Sequence, residues 1–304
     1  MSILALESDP LMQLLPAERP AYATGMLLDA QDFADEQAYH RGRLARALLF
    51  LAGSGTLAGL AVSHQPTTAT RPDEEIEVAP GLALDRLGRL VEQPRKACLR
   101  LARWWAQMAA QDGGDVLRQA RYDNLSRFAS PRFVAAHSVE LPAQAVVADL
   151  YIRFAASEVG YSPSFASGPY DALNAVAASR VRDAYELQLL PRIALDDGHL
   201  GLPGMPAAAG LADADATVRR DALQDTVLAA WTPPAAPSGN RPGVATGPEH
   251  EGEMDGSAVW LARVFLPVIA DAVPTRALEA PVLIDNFARR FLPTLALLGR
   301  SAGL

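Results

Sequence analysis

The spacing of apolar residues changes period several times along the chain, and each change marks an element. Phe33, Leu44, Leu48 and Leu51, with Gln37 and His40 among them, recur at steps of three or four, the repeat of one helix face. Asp29 precedes this run and Asp32 stands three residues on, the spacing at which side-chain oxygens take up free amides at a helix start, so the helix is expected from about Ala30. Gly53 stops it, Gly55 releases the chain, and Thr56–Val62 has strand composition. Ile76-Glu77-Val78 alternates again, and the turns Pro80-Gly81 and Arg86-Leu87-Gly88 bracket Leu82–Leu84. A β-meander from Thr56 to Val91 is expected. Lys96–Met108 reads as a helix with Ala97, Leu101, Trp104, Trp105 and Met108 on one side, ended by Gly113-Gly114.

The second half is richer in period-two alternation. Val146, Ala148, Leu150, Ile152 and Phe154 alternate with Val147, Asp149, Tyr151 and Arg153, the pattern of a half-buried strand. Val181, Asp183, Tyr185, Leu187 and Leu189 alternate with Arg180, Arg182, Glu186 and Gln188, and Asp196-Asp197-Gly198 turns the chain back. Asp213–Trp231 has helical spacing, with Leu223, Val227 and Ala230 together, placed to cover a sheet or to sit on the edge of one. The Pro- and Gly-dense stretch 232–257 reads as a mobile loop. Ala258, Trp260, Ala262, Val264 and Leu266 then form the inward side of a strand with Arg263 outward, and Ala288–Leu298 reads as a last helix bent at Pro293. The expected fold is mainly β with covering helices (α+β): β-sandwich or meander domains, with the first helix packed on the meander. Three parts are expected: an arm over 1–21 lying on its own domain or docking onto a neighbouring subunit, a helix-plus-meander domain over 22–140, and a second β-rich domain over 141–304.

At 304 residues, half of them hydrophobic, the chain has enough apolar material for a sizeable core. The net charge of −8 argues against a general phosphate-backbone binder, since such affinity comes from clustered Lys and Arg. The single cysteine, Cys98, excludes an intrachain disulfide and a paired-cysteine zinc site. Met1–Pro10 carries Glu7 and Asp9 and no basic leader, and the sequence has no apolar run of about eighteen residues, so neither export nor a membrane span is expected.

Chemistry is sparse. Gly53, Gly55 and Gly59 follow a helix and enter a strand, the reverse of the strand-glycine-helix order that cradles a dinucleotide. The sequence has no Gly-x-Ser-x-Gly elbow, and the five histidines, His40, His64, His137, His199 and His250, show no ligand spacing. His250, Glu251, Glu253 and Asp255 read as a solvated acidic loop before a cation site. Asp32, Glu36, Gln37, His40 and Arg43 form the one polar set to weigh; a carboxylate and a histidine one turn apart can do acid-base work. The plainer reading has Asp32 supporting the helix start while Gln37 and His40 satisfy strand edges beneath it. Arg180, Arg182, Arg289 and Arg290 read as ion-pairing or interface residues. Trp104-Trp105 reads as core or interface packing before a carbohydrate platform.

Several of these stretches together carry a resemblance. Gly25-Met26-Leu27-Leu28, Asp32-Phe33, Glu36-Gln37, Tyr39-His40, the Arg- and Leu-rich helix, Gly53-x-Gly55-x-x-x-Gly59-Leu60, and Pro80-Gly81-Leu82-Ala83-Leu84-Asp85 with Gly88 resemble proteins found with phage tails and contractile injection systems. The Gly-x-x-Leu and Asp-Phe-x-x-Glu-Gln-x-Tyr parts are also similar to the baseplate shoulder subunit of type VI secretion and the matching domain of phage receptor-binding proteins. Farther on, Ser179–Asp183, Trp260–Val264, Asp285-Asn286 and Arg289-Arg290 look like the same family, while Ser54 departs from it, where an aromatic residue is usual. The resemblance implies a structural, non-enzymatic subunit that needs no cofactor and no nucleic acid. It also implies partners among tail, baseplate or injection-system proteins, a homo-oligomer such as a trimer, and assembly in the cytoplasm into a phage or tail-like particle. The structural and interface candidates are Asp32, Phe33, Gln37, Tyr39, His40, Gly53, Gly55, Gly59, Trp104, Trp105, Arg180, Arg182, Arg289 and Arg290. A receptor- or carbohydrate-binding module of a tail fibre is the alternative, suggested by Tyr161, Phe165, Tyr170 and the tryptophan pair.

Overall fold

A capping box opens the first long element. In the computed structural model the Asp29 carboxylate accepts from the Gln31 and Asp32 amides, and Asp32 accepts from the Asp29 amide at 2.9 Å. Helix α1 (Ala30–Ala52) follows, after strand β1 (Ile3–Leu4) and a short 3-10 turn at Pro10–Met12. The structure describes residues 3–4, 9–12, 18–136, 141–163, 176–193, 195, 201–203, 215–229, 246–252, 254–269 and 271–301.

The expected meander is present, and each of its three strands is bent in the middle. The first is β2 (Gly55–Gly59) and β3 (Val62–Gln65), the second β4 (Glu75–Val78) and β5 (Gly81–Leu84), the third β6 (Leu90–Gln93) and β7 (Ala97–Arg100). Pairing splits at the bends into two antiparallel three-stranded sheets, β2-β5-β6 and β3-β4-β7. At the fold line Gly59 takes φ +64°, and a Cβ there would lie 2.1 Å from the Pro80 carbonyl oxygen. The backbones cross so closely that only glycine fits. Gln93 is buried at the same line and donates to the Val78 and Ala79 carbonyls that the bend leaves unpaired. The helix expected over Lys96–Met108 starts later: Ala97–Arg100 is spent as β7 on β4, and α2 occupies Leu101–Ala110. A left-handed turn through Asp112, Gly113 and Gly114 then leads into α3 (Asp115–Gln119) and β8 (Arg121–Asp123), followed by α4 (Pro131–Ala136).

The large sheet is built on β9 (Gln144–Pro163), which pairs with β10 (Val176–Pro191) along nearly its whole length. Helix α5 (Ala216–Ala229) comes next in the chain, then β11 (Val259–Ile269), which takes the other edge of β9; β12 (Thr275–Arg276) and β13 (Leu283–Asp285) pair with β11, β8 and β1 with β9, and α6 (Leu295–Ser301) ends the chain. All these pairings are antiparallel, so the protein is mainly β with a few helices. Both faces of β9 over Ala145–Ile152 and of β11 over Val259–Leu266 are covered, which corrects the half-buried reading. Val146, Ala148, Leu150 and Ile152 join the meander, α2 and α3 in the largest core, while Ala145 and Val147 pack under Phe128, Phe133 and Phe265 on the other side. A bulge between Trp260 and Ala262 shifts the alternation of β11. Ala258 and Trp260 therefore face the core of Tyr151, whereas Ala262, Val264 and Leu266 face the meander, so the five residues do not share one side. Arg263 is fully buried, not outward.

Other expectations are also corrected. Val227 is exposed, as are Val218 and Leu228, and so covers no sheet; the side chain of Leu223, and Ala230, lie outside the described residues. Of the stretch 232–257 read as a mobile loop, residues 246–252 and 254–257 are packed, with Glu249, His250 and Ser257 buried, and the others lie outside the described residues. The final helix begins only at Leu295, because 286–292 runs as a strap along β2 and β3. In that strap the Asn286 side chain accepts from the Val62 amide and donates to the Val62 carbonyl, both at 2.9 Å, as a neighbouring strand would. Thr56 and Leu292 exchange further backbone bonds with Arg290 and Thr56.

Helix α1 rests on the meander at a narrow contact. Ala45 is its one buried apolar residue, and a Cβ on Gly88, at φ +81° in the β5–β6 turn, would lie 1.9 Å from the Ala45 carbonyl oxygen. Gly88→Ala is expected to lower stability by about 2 kcal/mol or more in urea unfolding, combining left-handed strain with a clash against the helix. Gly113→Ala, at φ +63° with nothing within 4 Å of the new carbon, should cost only about 1 kcal/mol. Equal losses at the two positions would show that the helix does not press on the turn.

Candidate functional site

Within the apolar runs Ala145–Ile152 and Ala258–Val268 each strand carries one charge, at facing positions. Asp149 in β9 lies opposite Arg263 in β11, both 0% exposed. Arg263 Nε and Nη2 each donate to the Asp149 carboxylate at 2.8 Å, while Nη1 donates to the Phe128 carbonyl and Nη2 also to the Gly201 carbonyl, each at 3.1 Å. Burial alone would lower the Arg263 pKa, but the Asp149 charge and its hydrogen bonds outweigh that and raise it. Arg192 stands beside the pair, 3.3 Å from Asp149 and 3.3 Å from Glu251, and its Nη1 donates to the Glu249 carbonyl at 2.6 Å. The Tyr151 hydroxyl donates to the same carbonyl.

This network holds the 246–257 loop in place, and the loop carries one wall of a cleft. Among the described residues the cleft is lined by Ser54 and Gly55 at the α1–β2 junction, Arg86 in the β5–β6 turn, Pro203, Glu249, Ala258, Val259 and Trp260 at the start of β11, and Arg290 of the strap. About 250 Å³ of space lies between them, open to solvent at the mouth. Arg290 reaches the Glu249 carboxylate at 3.3 Å and Ser54 Oγ at 3.5 Å. Arg86 Nη1, Trp260 Nε1 and Glu249 Oε2 are buried with no hydrogen-bond partner among the described residues. Burial lowers the Arg86 pKa; Glu249 opposes that and Arg290 adds to it.

Behind Glu249, the His250 ring stacks on Tyr151 with centroids 6.1 Å apart. Its Nδ1 accepts from the Gly247 amide at 2.9 Å, so the proton sits on Nε2, which donates to the Ala258 carbonyl at 2.9 Å. Burial pushes the His250 pKa down, although the Ala258 carbonyl and the Glu249 charge pull the other way. A second polar cluster joins the meander to β12: His64 and Arg276 both bond the Glu74 carboxylate, at 2.9 and 2.8 Å. Burial pushes Glu74 up, but those two bonds outweigh it and hold the carboxyl below its usual range.

The residues singled out in the sequence fall in several places. Asp32, Phe33, Gln37, Tyr39 and His40 lie on α1, away from the cleft; Gln37 and His40 are exposed and satisfy no strand edge, and the buried residue of the helix is Ala45. Gly53 closes α1, Gly59 sits at the fold line, and Gly55 lines the cleft. Trp104 and Trp105 pack edge to face on the main core, and the Trp104 indole donates to the Leu189 carbonyl at 2.7 Å. Arg180 and Arg182 are exposed on β10. Arg289 is buried, donates to the Leu60 carbonyl at 2.7 Å, and has its pKa lowered to about 10 by burial against the opposing Asp285 charge. Of the candidates only Gly55 and Arg290 reach the cleft. Tyr161 is exposed, while Phe165, Tyr170, His137 and His199 lie outside the described residues. Glu251 and His250 are bound into the network rather than solvated, and the described residues contain no group of three or more His, Cys, Asp or Glu that could hold a metal ion. Arg86, Glu249 and Trp260 had no signal in the sequence. Asp149 and Arg263 read in the sequence only as alternating positions, with Arg263 outward; a charge of each sign set in an apolar run is the signal that could have paired them.

No protein-family model and no curated protein matches the chain. No helix among the described residues is long and apolar enough to cross a membrane.

Asp149→Asn leaves a buried guanidinium without its counter-charge and should cost about 3–5 kcal/mol in denaturant unfolding. Asp149→Leu combined with Arg263→Met removes both charges and should recover most of that loss. A double variant no more stable than Asp149→Asn would show that the loops, not the charge, are what the pair supplies. For His250 the folded state holds the lower pKa, so the unfolded chain takes up a proton first as pH falls. Stability should therefore drop below about pH 6.5, the ordinary histidine value. His250→Gln should flatten this part of the stability-pH curve, and an unchanged slope between pH 7.5 and 5.5 would contradict the assignment.

Proposed function

We propose that the protein is a structural subunit of a phage tail or contractile injection system that works by joining other subunits, with α1 and the segment leading into it as the contact surface. The observation that carries this reading is an apolar stripe in water. Phe33, Leu44 and Leu51 fall close to one line along α1, because steps of eleven and seven residues are near whole turns, and they are 50%, 63% and 85% exposed. Leu27, 94% exposed, and Met26 extend the stripe past the capping box. Exposed apolar surface of this extent is usual where a partner binds. Arg43 and Arg46 lie off this stripe beside the exposed Phe50, and the docked side carries Ala45.

The resemblance in Gly25–Leu28 and Asp32–His40 falls on the same surface, which supports the tail and injection-system setting and an oligomer built through this helix. The carbohydrate alternative has less support, since the Trp104 indole N–H is already bonded to the Leu189 carbonyl and both rings lean on the core. Size-exclusion chromatography with light scattering should give an oligomer, a trimer on the shoulder-subunit likeness, and Leu44→Glu with Leu51→Glu should yield monomer with an unchanged unfolding midpoint. A wild-type monomer that also fails to bind tail, tube or sheath proteins would overturn the reading.

A further inference from the structure

We infer that the outer edge of β10 is a docking site for an extended segment of a partner protein, one that carries carboxylates at alternate positions and joins the large sheet as a further strand. The ladder determines which backbone groups face that edge. The Arg192 amide donates to the Val147 carbonyl at 2.9 Å, and the β9–β10 register runs unshifted from Pro191↔Ala148 to Val176↔Pro163. Arg180, Arg182 and the other even-numbered residues therefore spend their amides and carbonyls on β9, while the odd-numbered residues turn theirs outward. The Leu189 carbonyl is one of the outward groups and accepts from the Trp104 indole at 2.7 Å, which closes the inner end of the edge. From Ser179 to Leu187 the outward amides and carbonyls have no partner among the described residues, and Ser179 to Asp183 are exposed.

An open edge offers backbone bonds to any extended chain, and the side chains beside it decide which chain fits. On one face of the β9–β10 ribbon Arg153 and Gln188 both bond Glu186, so charge there is matched. Farther out on the same face Arg180 and Arg182 have no ion pair or hydrogen bond among the described residues. An added strand sets its own alternate residues directly opposite these two guanidinium groups, and carboxylates at those positions pair both. The other face presents Val181, 60% exposed, to an apolar residue between the two acids. A second antiparallel copy is opposed by the same charges. Centring two copies on Arg180, Arg182 or Asp183 sets that charge against itself, and centring on Val181 sets Arg180 against Arg182. The inference stands apart from the assembly role proposed for α1, because every residue it uses lies on the β9–β10 ribbon.

The test is hydrogen exchange resolved by residue on the full chain, alone and with the end-capped peptide Thr-Val-Glu-Val-Glu-Val-Thr, whose acids fall opposite Arg180 and Arg182. Without peptide the outward amides of Val181 and Asp183 should exchange faster than the inward ones of Arg180 and Arg182. The peptide should slow Val181 and Asp183 saturably, with half-saturation at about 1 mM or below, and leave α1 unchanged. Lysine in place of both glutamates should weaken binding at least about tenfold, since two attractive cross-strand pairs become repulsive. The glutamate peptide methylated on its valine amides should not bind, because those are the groups that face the edge. Arg180→Glu with Arg182→Glu should reverse the preference between the two peptides, and an unchanged unfolding midpoint keeps that variant interpretable. No slowing by the glutamate peptide, or equal slowing by the lysine or methylated one, would overturn the inference. Val181 and Asp183 already slow without peptide would overturn it too, with dependence on protein concentration marking a second copy on the edge and independence a segment of the same chain. None of these outcomes bears on whether α1 builds an oligomer.

Discussion

The Asp149–Arg263 pair is the constraint from which the rest of the body follows. Moving both charges out of water costs several kcal/mol each, and attraction offsets that only when the remaining donors are also satisfied. Arg263 meets the condition by reaching past the sheet to the Phe128 and Gly201 carbonyls, and so ties two irregular segments to two central strands. Arg192 extends the same logic to the Glu249 carbonyl and the Glu251 carboxylate. Irregular backbone is thus held by charges that the sheet cannot leave unpaired, and the cleft wall at Glu249 is fixed as a consequence.

The end of β13 and the strap are fastened by side chains that bond backbone groups. Asn286 takes the place of a strand beside Val62, Arg289 fills the Leu60 carbonyl at the fold line, and Asp285 accepts from the Ser130 amide and hydroxyl. One short strap therefore touches the meander, the large sheet and the segment before α4. Helix α1 is treated differently. It is strongly started by its capping box, but it bears on the body through Ala45 on Gly88 and through Asp9, which pairs with both Arg41 and the buried Arg89. A well-formed helix with little to cover it suits an element that a partner completes.

Much of the architecture was legible because local rules sufficed. Asp29 and Asp32 marked the helix start, the turns at Pro80-Gly81 and Gly88 marked the meander, and alternation marked β9, β10 and β11. What stayed hidden depended on tertiary placement. A residue pattern identical to a half-buried strand arises when both faces are covered by different cores, as at Val146 and Val147. The bulge at Trp260–Ala262 has no turn residue to announce it, so the side on which Trp260 falls could not be read. Apolar residues at helical spacing in α1 are indistinguishable from a buried stripe until the body is seen to miss them. The cleft joins Arg86, Glu249, Trp260 and Arg290 from four distant stretches, none with a motif of its own.

The central claim is that a single fastened body presents α1 as an uncovered helix. Hydrogen exchange resolved by residue on dilute protein tests it most directly. The amides of Leu150, Val264, Val62 and Leu292 are expected to exchange only with global opening, and those of α1 at least about a hundredfold faster, slowing as concentration brings copies together. Strap amides exchanging as fast as α1, or α1 as slow as β11 in dilute solution, would contradict it.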